Sequence, residues 1–551
     1  MLQSTKPDYG DKDPIAALAT AFGESALAVI RTSGSNDRGK SAIDLLAEIF
    51  SRPQALLSTA GNTVVHGWIV EPLDSNGKTR KKLDEVLVSV YRAPHSYTGE
   101  DSADISCHGG IAAVKAVLAA LKKVGFREAL KGEFTFRAFM NGKLDLTQAE
   151  SVMELVAAKT GRGREQAVRR LSGVLQREIS AIKETLVEVL AATEIFLDYS
   201  EDEFLSPDEE SEGTLPDKAL AEKAAGKLKA LSELWSRERI YAEGALAVLA
   251  GWPNAGKSSL FNYLIREDRS IVTDVPGTTR DWIEAVISLD DIPLRLADTA
   301  GLRKTDKNTP DSKAIDEAER IGVERSMELL EKADLVLYVV DGVKGFTDDD
   351  RDFIAKHSET RKDKPLVVIW NKADLGACRT CKFLRQITAK ISDFRAPFGV
   401  CKEENAQKKC FFAFSQSERA KPDKLLVKPS ASPGEKIQFL PVSAKTGEGI
   451  PELLRLMAGL LEKSSQSSLS SSSTEDQLLQ AVGPGSIRQK ELIDTALSEI
   501  EEALALADKG ESLDLIAPLI RSAVNALGEI TGEVSNADIL KVMFSRFCVG
   551  K

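Results

Sequence analysis

Histidine and cysteine are scarce, with four of one and six of the other in 551 residues. The cysteines (Cys107, Cys378, Cys381, Cys401, Cys410 and Cys548) are too few and too scattered for a disulfide framework in so long a chain, which fits a reducing compartment. No apolar run approaches the roughly 20 residues that span a bilayer. The first residues, MLQSTKPDYGDKDP, carry neither a signal-peptide apolar stretch nor an arginine-rich amphipathic presequence. An excess of positive charge is missing too: 73 Lys and Arg against 84 Asp and Glu leave a net charge of −11. Any nucleic acid must therefore be met by local patches and not by bulk charge. These absences predict a soluble, cytoplasmic protein with no membrane partner, and at roughly 100 to 200 residues per domain the length fits three or four domains.

What is present falls into blocks. Residues 14–130 mix β-like runs, ALAVIR ending at Arg31 and EVLVSVYR around Tyr91, with the helical pattern IAAVKAVLAALKKVGF after Gly110, which predicts an α+β domain over 1–141. Over 142–242 Gly and Pro thin out and apolar residues recur at three- and four-residue spacing, as in LTQAESVMELVAAKT, the pattern of packed helices. At Ala245 the pattern changes to apolar strand runs (ALAVLAG, LVLYVVD, PLVVIWN) separated by helices, the βα alternation of a parallel sheet, which predicts a domain over 243–463. A Ser-rich tract from Ser464 reads as a linker, and helical patterns return over 464–551. Both flanks of the strand-rich block are helical. The economical organisation is a multidomain α/β and α protein, in which a discontinuous helical domain (142–242 and 464–551) is interrupted by an inserted α/β domain with an extra segment at 376–437.

After ALAVLA come Gly251, four residues, then Gly256, Lys257 and Ser258, a G-x4-G-K-[ST] pattern between a strand and an apolar helix. Glycines let backbone N–H groups curl around phosphate oxygens, the lysine reaches the β- and γ-phosphates, and the serine hydroxyl is offered to Mg²⁺. Asn254, Ala255, Gly256, Lys257, Ser258 and Ser259 are the residues of this loop expected to line a nucleotide. Three further fragments follow in order, each closing an apolar run. Asp298, Thr299, Ala300 and Gly301 end PLRLA, where the aspartate can hold the Mg²⁺ shell and the glycine amide can sense the γ-phosphate. Asn371, Lys372, Ala373 and Asp374 follow PLVVIW, and Ser443, Ala444 and Lys445 follow FLPV. The last two separate guanine from adenine: Asp374 accepts from the guanine N1–H and exocyclic amine, and the Ala444 amide meets O6. Each fragment alone is an ordinary turn, but four in this order predict a Ras-like P-loop GTP-binding domain. Thr273, Asp274, Val275, Pro276, Gly277, Thr278 and Thr279 stand where a first switch loop belongs, with Thr279 as the expected Mg²⁺ and γ-phosphate ligand. Leu302 occupies the place where a Ras-like enzyme has a water-orienting Gln, so hydrolysis needs another polar group and another positive charge. Asn254 is either a neutral ligand for a monovalent cation near the phosphates or a turn residue.

The loop GWPNAGKSSL, the GTTRD segment, DTAGLR and NKAD together resemble the potassium-dependent GTPases of the Era, Der and MnmE (TrmE) families. The chain ends choose among them. PIAALATAFGESALAVIRTSG, APHSYTGEDSADISCHGG, GEFTFRAFMNGKLDLTQAESV and the tail GEITGEVSNADILKVMFSRFCVGK resemble the MnmE family, the tRNA uridine-5-carboxymethylaminomethyl modification GTPases, over nearly the whole chain. The resemblance implies a K⁺-dependent GTPase that works with an FAD-dependent MnmG-type partner. Together they would install an aminomethyl or carboxymethylaminomethyl group on C5 of the wobble uridine of tRNA, using a 5-formyl- or 5,10-methylene-tetrahydrofolate one-carbon unit. It implies a homodimer formed through N-terminal folate-binding domains. An alternative is an Era- or Der-like switch in ribosome assembly; such proteins end in a KH-type module, and no GXXG clamp followed by a β-rich pattern occurs after Lys445.

Residue by residue, the resemblance implies K⁺ ligands at Asn254, Thr273, Val275 and Thr278, and Mg²⁺ ligands at Ser258 and Thr279. Glu319 would position the attacking water through a second water, although the connection from Arg303 to Asp316 is longer than the family's. Folate contacts are implied at Arg31, Asp104, Lys143 and Lys551, with Asp104 standing where the family has Glu. A catalytic role is implied for Cys548, whose residue type also suits a small buried hydrophobe beside Phe547 and Val549. His108 either lines the folate site or is structural. Cys378, Cys381, Cys401 and Cys410 are either four zinc ligands or part of a solvated loop, and the eight residues between the second pair exceed the usual zinc spacing of about two to four.

Overall fold

The computed structural model describes residues 9, 13–72, 80–199, 215–242, 244–267, 284–298, 328–345, 347–360, 364–375, 437–466, 482–534 and 537–550. The chain forms two contact units, Met1–Ala157 with Gln166–Ser232 and Val482–Lys551, and Ala158–Glu165 with Glu233–Ala481. In chain order the elements begin with β1 (Ile15–Leu18), β2 (Leu27–Ser33), α1 (Ala42–Ala47), α2 (Pro53–Ser58), β3 (Thr63–Val70), β4 (Lys82–Tyr91), β5 (Ser102–His108), α3 (Ile111–Lys123) and β6 (Arg127–Glu128). Helices α4 (Glu133–Met140), α5 (Leu146–Ala157), α6 (Gly161–Leu171), α7 (Val174–Tyr199) and α8 (Lys218–Ala242) follow. The alternating block comprises β7 (Ala245–Ala250), α9 (Lys257–Glu267), β8 (Glu284–Leu289), β9 (Ile292–Asp298), β10 (Leu335–Asp341), α10 (Asp348–Thr360), β11 (Leu366–Asn371), β12 (Ile437–Pro441) and α11 (Ile450–Gln466). The chain closes with α12 (Ile487–Asp508), α13 (Leu513–Thr531) and α14 (Ala537–Phe544).

In the first unit, period-two patterning builds the N-terminal sheet. Along β4 the side chains of Asp84, Val86, Val88 and Val90 are buried while Glu85 and Leu87 are exposed, so one face meets α1 and α3 around Ile30, Leu46, Phe50, Ile105 and Val117. The strand order is β3-β4-β5-β2-β1-β6, antiparallel except for the β1–β6 pair. The helical part is closed by a buried polar node. Glu150 of α5 (4% exposed) accepts from Arg488 Nε at 2.8 Å, from Ser486 Oγ at 3.2 Å and from Gln489 Nε2. Arg170 of α6 (1% exposed) donates from Nε to Glu154 at 2.8 Å and from Nη1 to the Gly483 carbonyl at 3.3 Å. Glu150 and Arg488 are 338 residues apart, so the node re-forms one helical body from two stretches of chain. Each charge has an opposite partner, which a buried ion requires.

In the second unit the sheet order is β12-β11-β10-β7-β9-β8. Every residue of β7, β10 through Val340, and β11 is buried, the near-continuous apolar run of a parallel strand covered on both faces. The sequence predicts a parallel-type sheet, and the departure is β8, which runs antiparallel to β9. The cause is local: Asp290 and Asp291, with φ of 45° and 66°, make a tight hairpin turn, and two residues cannot carry the crossover that a parallel pair needs. Strands β7, β9, β10, β11 and β12 point the same way, so the loops after them share one edge of the sheet.

The C-terminal segment packs on α4 and α5. Phe544 is fully buried, edge-on to Phe136 at 5.3 Å between ring centroids, with Phe547, Leu146 and Val152 in the same cluster. Phe544→Ala should lower the stability of the full chain by about 3–5 kcal/mol in urea denaturation. A change below about 1 kcal/mol would contradict the packing described.

Candidate functional site

The shared edge of the second sheet collects the predicted nucleotide residues. Lys257 Nζ donates to the carbonyls of Gly251 (2.7 Å) and Trp252 (2.9 Å). Ser258 Oγ donates to Asp298 Oδ2 at 2.9 Å across 40 residues of sequence, a pair of hard oxygen donors suited to Mg²⁺. Asn371, 2% exposed, donates from Nδ2 to the Ala255 carbonyl at 2.9 Å and accepts at Oδ1 from the Ala444 amide at 3.1 Å. A Cβ on residue 256 would stand 2.1 Å from that Nδ2, so glycine is the residue that fits there. Ser443 Oγ donates to Asp374 Oδ1 at 2.7 Å and accepts from the Lys445 and Thr446 amides at 3.3 and 3.2 Å, which orients the Asp374 carboxylate. Ala373 is buried in a short 3₁₀ turn with Asp374. Asn254 has φ of 66°, and its carbonyl accepts from Lys372 Nζ at 3.1 Å.

Asp341 was not among the residues singled out from sequence, yet it accepts from Lys372 Nζ at 2.7 Å and stands opposite Asn371 in the β10–β11 register. Burial opposes its charge, but Lys372 and the amides of Val343 and Lys344 outweigh this and hold its carboxyl below the usual range. The available signal was its position closing the apolar run LVLYVVD beside NKAD. Thr273, Asp274, Val275, Pro276, Gly277, Thr278, Thr279, Thr299, Ala300, Gly301 and Glu319 lie outside the described residues, as do Lys551, the segment 376–436 and its four cysteines.

In the first unit, Arg31 and Asp104 face each other in the β2–β5 register and form a bidentate pair, Nε to Oδ1 at 3.0 Å and Nη2 to Oδ2 at 3.3 Å. The guanidinium carbon lies 5.6 Å from the Tyr97 ring centroid and 5.9 Å from that of Phe134, and Tyr97 Oη is 2.9 Å from Thr135 Oγ1. Each Asp104 oxygen keeps acceptor capacity for a second donor. Lys143 Nζ donates to the Pro94 carbonyl at 3.1 Å, on the segment that carries Tyr97. Behind this wall sits a group that sequence reading missed. Fully buried Glu133 accepts from Arg127 Nη2 at 2.6 Å, Arg137 Nη2 at 2.9 Å and the Leu130 amide at 2.8 Å, which fixes the start of α4 and hence Phe134 and Thr135. Its signal, a Glu at i and an Arg at i+4, is common on any helix.

The Gly132 amide donates to the Cys548 carbonyl at 3.3 Å, and a methyl on Gly550 would meet the Leu18 carbonyl at 2.7 Å, so the tail lies against the start of α4 and the end of β1. Cys548 is exposed, which excludes the buried-hydrophobe reading; Phe547 is the buried neighbour. His108 Nδ1 is 2.6 Å from Asp84 Oδ1, and the His108 amide donates to Asp84 Oδ2 at 2.9 Å, so this histidine ties the end of β5 to β4. Among the described residues there is no cluster of three or more His, Cys, Asp or Glu able to hold a metal, and no helix long and apolar enough to cross a membrane.

Comparison with known proteins places these features in a family. Residues 146–548 match the family described as the MnmE helical domain, and residues 14–143 match the GTP-binding protein TrmE N-terminus. A Treponema denticola protein named tRNA modification GTPase MnmE is 39% identical over 549 residues, 98% of this chain and 99% of the relative. Proteins of the same name from Carboxydothermus hydrogenoformans (37%; 98% and 100% covered) and Borrelia recurrentis (36%; 98% and 99% covered) are similar over the same extent. Among solved structures, the G domain of the T. maritima FeoB iron transporter covers 39% of this chain and 98% of its own length, at 21% identity and a TM-score of 0.23; family membership therefore rests on the sequence relatives.

Asp374→Asn should weaken GDP binding by about a hundredfold or more while strengthening binding of xanthosine diphosphate, because a carboxamide donates where the carboxylate accepted. Equal GDP affinity in a titration of the two proteins would remove Asp374 from the base site. Burial pushes the Cys107 thiol up to about 11, so at pH 8 it stays protonated. Iodoacetamide followed by peptide mapping should modify Cys548 and spare Cys107; comparable modification of both would contradict the burial of Cys107.

Proposed function

The chain belongs to the MnmE family of tRNA modification GTPases and is a GTP hydrolase acting in tRNA modification, and from that premise we propose how its own residues do this work. The carrying observation is the convergence of Ser258–Asp298, Asn371, Asp374 and the Ser443–Ala444 turn on one sheet edge. GTP lies along that edge. Lys257 exchanges its loop carbonyls for phosphate oxygens, and Asp374 and the Ala444 amide read the guanine. Mg²⁺ held by Ser258 and Thr279, with Asp298 behind, would supply positive charge to the phosphates. Asn254, Thr273, Val275 and Thr278 would hold K⁺, which would supply the positive charge that an arginine finger supplies elsewhere. Glu319 orients the attacking water through a second water, a task for which Leu302 has no polar group.

Tetrahydrofolate would be held at the N-terminal site by Arg31, Asp104, Lys143 and Lys551, the Asp104 carboxylate oriented by Arg31 for the pterin edge and the lysines left for the glutamate carboxylates, and would supply a one-carbon unit as the 5-formyl or 5,10-methylene form. The donor set fits: a carboxylate for an amidine-like edge and cations for carboxylates. Cys548, exposed on the tail, is the nucleophile available to that unit. The protein acts in the cytoplasm as a homodimer joined through its N-terminal domains, with an FAD-dependent MnmG-type partner. GTP hydrolysis drives the G domains together and apart, and the product is an aminomethyl or carboxymethylaminomethyl group on C5 of the wobble uridine. The match of the MnmE helical domain to residues 146–548 favours this reading over a switch in ribosome assembly.

Nucleoside mass spectrometry of total tRNA from cells lacking this gene should show loss of the 5-aminomethyl-type wobble uridine and its return with the wild-type gene. Unchanged modification in the deletion strain would overturn the reading. Asn254→Ala should abolish the stimulation of hydrolysis by K⁺ over Na⁺ while GDP affinity stays within about threefold; full K⁺ activation in the variant would refute the cation assignment.

A further inference from the structure

We propose that Tyr263 and Gly447 together set the position of the base-recognition loop, which makes Tyr263 a positioning residue for recognition of the purine 6-oxygen. The inference rests on the reading of Ala444 and Asp374 as the guanine site.

Tyr263 lies on α9, the helix whose first turn carries Lys257 and Ser258. At 1.5 Å of rise per residue it stands about 9 Å along the axis from Lys257. Its ring is half-buried against the same core cluster as Ala444, a cluster that includes Leu260, Leu264, Val442 and Leu453. Gly447 has φ of 83°, and its amide donates to the Ser443 carbonyl at 2.9 Å, closing the turn that presents Ala444. A Cβ on Gly447 would fall 1.9 Å from Tyr263 Oη and 2.7 Å from Cζ, so the phenol occupies the space that any side chain at 447 would need.

The loop is braced at several points. Asn371 holds the Ala444 amide, Asp374 holds the Ser443 hydroxyl, and Gly449 packs on the Pro441 carbonyl. Those three braces come from β11, β12 and the turn after β11. Tyr263 is the brace from α9, so one rigid helix fixes the phosphate-binding residues at its start and the back of the base loop a turn and a half later. A hydrogen bond from the Ala444 amide to a 6-oxo group tolerates little displacement before its length and angle fail. A methyl at residue 447 meets a ring half-buried against that cluster, so the displacement it forces falls largely on the loop.

The test uses the full chain and dissociation constants for three nucleotides: GDP, inosine diphosphate, which lacks the 2-amine read by Asp374, and 6-thio-GDP, whose sulfur is a poorer acceptor at position 6. The wild type should bind both analogues more weakly than GDP. In Gly447→Ala the GDP dissociation constant should rise about tenfold, the scale of one lost amide hydrogen bond. The penalty for 6-thio-GDP should then nearly vanish while the penalty for inosine diphosphate is retained. Adding Tyr263→Ala to Gly447→Ala should recover about threefold of the GDP affinity by freeing the space. Tyr263→Ala alone should lower the 6-thio penalty, whereas Tyr263→Phe, which keeps the ring against Gly447, should keep it. An unchanged 6-thio penalty in Gly447→Ala overturns the proposal. So does an equal loss for all three nucleotides with no recovery in the double variant, which is what general destabilisation produces. If the wild type does not distinguish the three nucleotides, the base-site reading itself fails, and the proposal with it.

Discussion

A single buried carboxamide joins the two halves of the nucleotide site. Asn371 gives its N–H to the phosphate loop at Ala255 and takes the N–H of Ala444 from the base loop, 116 residues from one partner and 73 from the other. A carboxamide suits the task because it carries a donor and an acceptor on one rigid plane, which neither Asp nor Leu does. Burial raises the stakes: with water excluded, losing either partner leaves a polar group unsatisfied, so the two loops hold their positions jointly. Gly256 follows from the same contact, since the amide fills the space of its missing side chain. Around this tie the other braces, Ser258 on Asp298, Lys372 on Asp341 and Ser443 on Asp374, fix the groups that would meet Mg²⁺, phosphate and base.

The N-terminal candidate site is organised differently. There the half-buried pair Arg31–Asp104 is set by strand register, and its aromatic wall is set by a charge buried behind it, Glu133 between Arg127 and Arg137. A fully buried carboxylate is costly unless it is saturated, and two guanidinium groups with one amide saturate it. The result is a stiff start to α4, with Phe134 and Thr135 facing Arg31 and Tyr97. The C-terminal tail reaches the same helix start through Gly132, so residues at the two ends of the chain share one wall.

Much of this was legible in the sequence because it is local. Strands such as ALAVLA and LVVIWN announce themselves as apolar runs, and the phosphate loop follows β7 immediately. The antiparallel strand β8 was missed because its only signal is two aspartates in a turn, against a background of βα alternation. Asn371 was expected at the site, but its bridging of two loops needs the fold, as do Asp341, the Glu150 and Arg170 node, and Tyr263. Each of these is a contact between residues far apart in the chain, which leaves no periodicity. The pairing of Arg31 with Asp104 was hidden for the same reason: both were expected as ligand contacts, and the register that makes them partners of each other appears only in the sheet.

The claim that one carboxamide holds both loops is tested most directly by hydrogen–deuterium exchange on the nucleotide-free chain, comparing the wild type with Asn371→Ala. Peptides spanning 251–260 and 442–449 should lose protection together, while the β10 peptide over 335–340 keeps its protection. Loss in one loop without the other, or in neither, would contradict the account.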